Sequence, residues 1–371
     1  MKLIEKKILI TDYSVSQKIL SNSSLLALLE SDLSHIDRYV IIFNRECDLN
    51  EILKNKGFNT YVCKFGGATF LQNFLQHLAL PFIYSYIVFK ERPDIIYSNN
   101  VMAAKSGALF KLISNKPLVV HIRNVGFFKR TKFFSLMADY FLCVSEYCMK
   151  NTLPSKLWKK SKIVFDGVDS VKFNKKNNSY GKFSKSADNI VFGMVGRITE
   201  QKGQDYFVKL ANNLIIKYPH LIFLHCGENP NEKHDSYSKN LVKNSYDIVK
   251  SKNFLWLDYT NNIDEFWSVI DIAIAPSQSD EAFGRVIIEA MSSQIPVIST
   301  SSGGPSEIIQ NGINGFYVPK NNYPMLESRA IDLIEDYDLR KRFAVKGREL
   351  INEKFSSNMY AQNILRILET L

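Results

Sequence analysis

This 371-residue chain has no long hydrophobic run. A membrane-crossing helix needs about 20 consecutive apolar residues, and the best stretch, residues 78–89, is shorter and contains Pro81. It reads as a buried helix, with a contact on a membrane surface as the alternative, and the chain is expected to cross no membrane. Cysteine is scarce as well: Cys47, Cys63, Cys143, Cys148 and Cys226 are scattered, odd in number and form no CxxC pair. That pattern argues against a disulfide framework and for free thiols in a reducing compartment. The HExxH, GxSxG and Walker signatures are absent, which removes the common motif-bearing hydrolase and phosphate-loop readings. One D-x-D exists, Asp336-Tyr337-Asp338, at a turn expected between helices, where it reads as a helix cap. No metal and no cofactor are therefore expected. No secretory apolar segment follows the charged opening residues 1–7, so the expected setting is the cytoplasm or the cytoplasmic face of a membrane.

Length points to two α/β lobes, since 371 residues exceed one ordinary core. The charge is uneven. Residues 1–180 hold 26 Lys+Arg against 14 Asp+Glu, and residues 181–371 hold 21 against 23. Such a basic half suits an anionic membrane surface, a phosphorylated lipid or another polyanion, with plain solubility as the alternative. Residues 126–134, Gly-Phe-Phe-Lys-Arg-Thr-Lys-Phe-Phe, fit either a bilayer-surface segment or an ordinary amphipathic helix. No nucleic-acid module is recognisable, and no nucleic-acid partner is expected.

Short apolar runs near residues 8–10, 39–43, 60–63, 95–98, 118–121 and 140–144 alternate with helix-like segments. A polar stretch, 175–188, reads as a linker. The alternation then restarts at 190–195, 221–225, 254–257, 272–275, 297–299 and 315–318. Strands this uniformly apolar belong in parallel sheets covered on both faces. The expected architecture is two Rossmann-like lobes, 1–180 and 181–355, with a final helix in 356–371. Ligands would bind between the lobes, at the carboxyl ends of the strands.

The densest chemical signal is Ser277-Gln278-Ser279-Asp280-Glu281-Ala282-Phe283-Gly284-Arg285-Val286-Ile287-Ile288-Glu289-Ala290-Met291. A strand leads into a polar loop, and a helix starts near Phe283-Gly284. Gly284 lets a ligand approach backbone N–H groups where the helix dipole favours an anion. Glu281 beside that point can bind sugar hydroxyls or cap the helix; Glu289, two turns in, can face a ligand or solvent. Upstream, Gly193-Met194-Val195-Gly196-Arg197-Ile198-Thr199-Glu200-Gln201-Lys202-Gly203 joins a strand to a helix. Arg197 and Lys202 place two cations at the strand's end. There they can stabilise a departing diphosphate or simply lie exposed in a loop.

Both segments, in this order, resemble family-4 retaining glycosyltransferases of the GT-B fold. Glu281 and Glu289 match that family's ExxxxxxxE signature, with Ala282 where proline is common. Residues 196–203 are similar to its G-R-x(4)-K-G segment. The resemblance implies that Arg197 and Lys202 grip the donor pyrophosphate, Glu281 binds donor-sugar hydroxyls and Glu289 the ribose. Gly196 and the backbone of Phe283, Gly284, Arg285 and Val286 would line the sugar and phosphates. His121, at the end of its strand, would open onto the cleft near the reacting sugar, with Arg123 and Asn124 on the same loop. The implied activity is transfer from a UDP- or GDP-sugar to an acceptor hydroxyl, either a saccharide or a lipid-linked saccharide, in cell-surface polysaccharide or glycolipid synthesis. The final helix would cross back to the first lobe. One departure lies after the first strand, where the family often has a Gly-Gly loop and this chain reads Thr11-Asp12-Tyr13-Ser14-Val15-Ser16-Gln17-Lys18. A sugar-nucleotide 2-epimerase on the same fold and a non-catalytic sugar-nucleotide-binding partner are the rival readings.

Overall fold

The computed structural model describes residues 6–13, 23–63, 70–126, 133, 136–174, 177, 179–300 and 303–371, without the side chains of residue 23 and residues 70–78. Most of the segment 126–134, the loop 14–18 and part of the polar stretch 175–188 fall outside that description. Two compact units emerge: Met1–Gly167 together with Ser357–Leu371, and Val168–Ser356.

The first unit is built on one parallel sheet of β1 (Ile8–Asp12), β2 (Tyr39–Phe43), β3 (Asn59–Val62), β4 (Ile95–Ser98), β5 (Leu118–Ile122), β6 (Tyr140–Cys143) and β7 (Ser161–Ile163), in the order 3-2-1-4-5-6-7. Its numbered helices are α1 (Ser23–Glu30), α2 (Asp48–Asn55), α3 (Phe70–Glu91), α4 (Ala104–Ser114) and α5 (Glu146–Thr152). Every residue of β1, β2, β4 and β5 is buried. This is why their sequences are mostly apolar, rich in Ile, Leu and Val, with no polar alternation. Strand order reverses between β1 and β4, which opens a crevice at their carboxyl ends. The C-terminal helix, Ser357–Thr370, packs on α1 and sends Tyr360, Ile364 and Leu368 into this unit's core.

Helix α3 corrects one expectation. Residues 78–89 are helical but only half buried. Leu80, Tyr84 and Ile87 face the core, whereas Phe82, Tyr86 and Phe89 are 79%, 59% and 75% exposed. A helical period splits the run into two faces; its unbroken hydrophobicity concealed the division.

The second unit begins at Val168 and carries, before its main sheet, a small antiparallel pair, β8 (Ser179–Tyr180) and β9 (Phe183–Ser184). The break between units therefore precedes the polar stretch, at 167/168 and not at 180/181. The described residues of the polar stretch, 177 and 179–188, belong to the second unit, with Phe183 buried. The main sheet is parallel: β10 (Ile190–Gly196), β11 (Leu221–Gly227), β12 (Phe254–Asp258), β13 (Ile272–Ala275), β14 (Val297–Thr300) and β15 (Phe316–Val318), in the order 12-11-10-13-14-15. Helices α6 (Gln204–Lys217), α7 (Ser236–Lys250), α8 (Ile263–Ser268), α9 (Arg285–Ser292), α10 (Pro305–Ile308), α11 (Tyr323–Glu335) and α12 (Tyr337–Lys354) accompany it. Phe192 and Phe223 stack at 4.7 Å in its core, with Phe207 edge-on. Asp336 caps α12 by accepting from the Leu339 N–H at 2.8 Å. All five cysteines are free and buried.

Candidate functional site

In the second unit the switch point lies between β10 and β13, and the loops after these two strands are locked together. Gly203, at φ +73°, is the N-cap of α6, and a Cβ there would sit 2.2 Å from the Pro276 carbonyl oxygen. Only glycine permits that approach. The Gln278 N–H donates to the Gln201 carbonyl at 2.8 Å across the same junction. This contact sets the Lys202 ammonium on Glu281 Oε1 as an ion pair, and Ser277 Oγ donates to the same oxygen at 2.5 Å. Burial pushes the Glu281 carboxyl up, but the charge and hydrogen bond of Lys202 and the Ser277 hydroxyl outweigh it, so the group sits below its ordinary value. Glu281 is thus an anion held by a cation, not a helix cap.

Arg197 lies one residue past β10. Its carbonyl is pinned by Gln204 Nε2 at 2.7 Å, while its side chain is exposed and has no partner among the described residues. The neighbouring Ile198 N–H donates to Glu228 Oε2 at 2.7 Å, which also pairs with Lys233 at 2.7 Å. Gly196 ends β10 and lies 3.8 Å, measured from an added Cβ, from the Lys202 side chain. A fixed loop that carries one unclaimed guanidinium and one shared ammonium is an arrangement able to receive an anion.

Loop 281–284 rests on Gly303-Gly304. The Gly304 N–H donates to the Glu281 carbonyl at 2.9 Å, and a Cβ on Gly304 would fall 2.4 Å from Phe283 Cα. Gly284, at φ +107°, is the residue from which α9 starts, so Arg285 and Val286 form its first turn. The Phe283 ring is buried against Phe355, 5.9 Å between centroids, which leaves only its backbone for a ligand. Glu289 is buried, not on a solvated face, and Arg285 Nε lies 3.0 Å from its Oε1. Burial wins here, raising the Glu289 carboxyl above its ordinary value despite the Arg285 charge.

His121 belongs to the first unit and differs from expectation: it is fully buried and does not open to solvent. It sits on β5, an interior strand of the sheet, against Tyr97 and Arg123. Tyr97 Oη lies 2.7 Å and Arg123 Nη2 3.2 Å from its Nδ1. A guanidinium can only donate, so Nδ1 accepts and the ring proton is on Nε2. Nε2 is buried and has no partner among the described residues. Burial, then the Arg123 charge, holds the imidazole neutral. Arg123 also donates to Asp166, to the Asn99 carbonyl at 2.8 Å and to Tyr360 Oη at 2.5 Å. Arg123 is thereby a structural hub, tying the C-terminal helix and the segment after β7 to the end of β5. At the end of β1, where glycines were missing, Asp12 Oδ1 accepts from Asn99 Nδ2 at 2.8 Å and Asn100 Nδ2 at 3.1 Å.

Sequence reasoning missed Ser277, Glu228, Asp166 and Tyr360. Ser277 lay within the motif, four residues before Glu281; the other three carried no signal short of the fold. Among the described residues no three His, Cys, Asp or Glu side chains converge on a common point.

Residues 175–350 match the family model described as "Glycosyl transferases group 1". The chain is 26% identical over 301 residues to a capsular polysaccharide biosynthesis glycosyltransferase, CapM, of Staphylococcus aureus, covering 76% of this chain and 78% of that one. It is 24% identical over 336 residues to the UDP-Gal:alpha-D-GlcNAc-diphosphoundecaprenol alpha-1,3-galactosyltransferase of Escherichia coli, covering 81% and 84%. Among solved structures, Anabaena Alr3699/HepE in complex with UDP and glucose aligns over 99% of this chain and 100% of that one, with TM-score 0.80 and 21% identity. A glycosyltransferase from Rickettsia africae ESF-5 aligns over 98% of each, with TM-score 0.81 and 20% identity. The fold is accordingly α/β of the GT-B kind, two units each carrying a parallel Rossmann-like sheet.

Proposed function

We propose that this chain is a glycosyltransferase that takes a sugar from a nucleotide-sugar by the retaining mechanism of family 4 and builds a cell-surface polysaccharide or glycolipid. The observation that carries the reading is the packing of the loop after β10 against the loop after β13. It gathers Lys202, Glu281 and Ser277 at one switch point, with the unclaimed Arg197 on the same loop.

In this reading the nucleoside diphosphate lies at the first turn of α9, on the backbone of Gly284, Arg285 and Val286. Arg197 and Lys202 meet the charge that grows on the leaving diphosphate, so side-chain cations do the work and no metal is required. Glu281, kept ionised by Lys202, accepts hydrogen bonds from donor-sugar hydroxyls. Glu289 accepts from the ribose, trading part of its bond to Arg285. As the bond from the anomeric carbon to the phosphate oxygen breaks, the acceptor oxygen bonds to the same face of that carbon. The acceptor proton passes to a phosphate oxygen of the departing diphosphate.

The test is to incubate the protein with UDP- and GDP-sugars and follow products by NMR. Hydrolysis or transfer that preserves the anomeric configuration, unaffected by a chelator, is expected. Inversion would overturn the retaining mechanism; a changed nucleotide-sugar formed without an acceptor would favour an epimerase. Arg197→Ala should lower turnover by about 10²–10³ without moving the melting temperature, since its side chain holds no protein partner among the described residues.

A further inference from the structure

We infer that the outer face of α3 is a docking surface for an anionic phospholipid bilayer. Phe82, Tyr86 and Phe89 stand at i, i+4 and i+7, within one narrow arc of the helix, and are 79%, 59% and 75% exposed. Ile83 flanks them at 42%. Their exposure does not come from a loosely held helix. The opposite face is fixed to α4, with Tyr84 stacked on Phe110 at 4.0 Å and its hydroxyl donating to Ser106 at 3.2 Å. Contiguous exposed aromatics on a rigid helix mark a contact surface.

Charge decides the kind of partner. The first unit holds 24 Lys+Arg against 14 Asp+Glu, and the second 23 against 23, so all of the net charge of +10 lies on the unit that carries α3. No acidic side chain interrupts the exposed stretch 79–90. Glu91, the acid that follows, is buried and held by Lys7 and Tyr61, with the Lys90 ammonium 3.9 Å away. Lys90 and Arg92 stand exposed at the end of the aromatic stripe, and Lys105 on the adjoining α4 is exposed too. Leu112 of α4 adds a further exposed apolar side chain at 68%. Elsewhere on the unit Trp158 lies half-exposed among Lys156, Lys159, Lys160 and Lys162, all exposed and without an acidic partner among the described residues. Aromatic rings at the headgroup level with cations on lipid phosphates is the chemistry that joins these features. Among the described residues no helix is long and apolar enough to cross a bilayer, so the contact is interfacial.

The experiment is co-sedimentation of the full chain with vesicles of phosphatidylcholine alone or containing about 30% phosphatidylglycerol, at low and high salt. Binding to the anionic vesicles, weakened by salt, is expected. The triple variant Phe82→Ser/Tyr86→Ser/Phe89→Ser should lose about tenfold or more of that partition, and Lys90→Glu/Lys105→Glu should lose the preference for anionic lipid. Melting temperature and lipid-free donor hydrolysis serve as controls and should match wild type, which separates this inference from the proposed chemistry. Absence of binding to anionic vesicles, or wild-type binding by the triple variant, would overturn the inference. So would a wild-type dimer that the triple variant turns into monomers by light scattering, because the face would then belong to a second copy.

Discussion

Replacing Lys202 by Met separates its two roles. In the resting protein it neutralises Glu281; in the proposed reaction it meets the leaving diphosphate. Unit charges about 4 Å apart at an effective dielectric near 20 attract by about 4 kcal/mol. The two side chains are 33% and 16% exposed, and solvent screening brings the loss on substitution down to about 1–2 kcal/mol. Chemical or thermal unfolding at neutral pH reads this as a drop of a few degrees, about 2–4 °C per kcal/mol for a unit of this size. The effect depends on pH. Glu281 sits below its ordinary value when folded, so its stabilisation is complete above the unfolded-state value of about 4.3 and is lost as pH falls through the folded one. The gap between wild type and Lys202→Met should therefore close in acid. Adding Glu281→Gln should restore much of the stability, since no buried carboxylate is then left unpaired. It should not restore turnover, expected to be down about 10²–10³. If Lys202→Met melts lower as described yet turns over within about threefold of wild type, then Lys202 serves Glu281 alone and the assignment of the leaving-group cation is wrong.

Other outcomes follow from the same structure. Gly203→Ala forces a Cβ against the Pro276 carbonyl at positive φ and should cost about 2–4 kcal/mol in denaturant unfolding; wild-type stability would mean the two loops are not locked. Arg123→Met strands the Asp166 carboxylate in the first unit's interior and should cost about 3–5 kcal/mol, partly recovered by adding Asp166→Asn. The buried His225 imidazole is pushed down to about 3 by burial. The unfolded chain takes up its proton near pH 6.5 and the folded chain does not, so this residue lowers stability as pH falls from about 6.5 towards 3. His225→Gln should flatten the melting curve in that window, and an unchanged pH profile would show that the ring titrates normally.

The strands of both sheets were legible because parallel, doubly covered strands leave short, mostly apolar runs, as in β1, β2 and β10. The loops bearing Arg197, Lys202, Glu281 and Gly284 were legible because glycine and charge recur at fixed offsets within one turn. Pairings between distant segments were not. Lys202 and Glu281 lie 79 positions apart and Arg123 and Tyr360 237 apart, and no periodicity links such partners. His121 showed the same limit: a polar residue ending an apolar strand looks alike whether it meets solvent or a buried Tyr97 and Arg123. Helix α3 failed for the opposite reason, since apolar residues on both its faces left no polar stripe to mark the outer one.

Calorimetric titration with UDP- and GDP-sugars, on wild type and on the Arg197→Ala/Lys202→Met pair, tests the donor pocket most directly. Saturable binding of one nucleotide-sugar to wild type, lost or weakened about a hundredfold in the double variant, is the expected result. Equal affinity in the two proteins, or no binding of any nucleotide-sugar to wild type, would contradict the placement of the diphosphate at these cations.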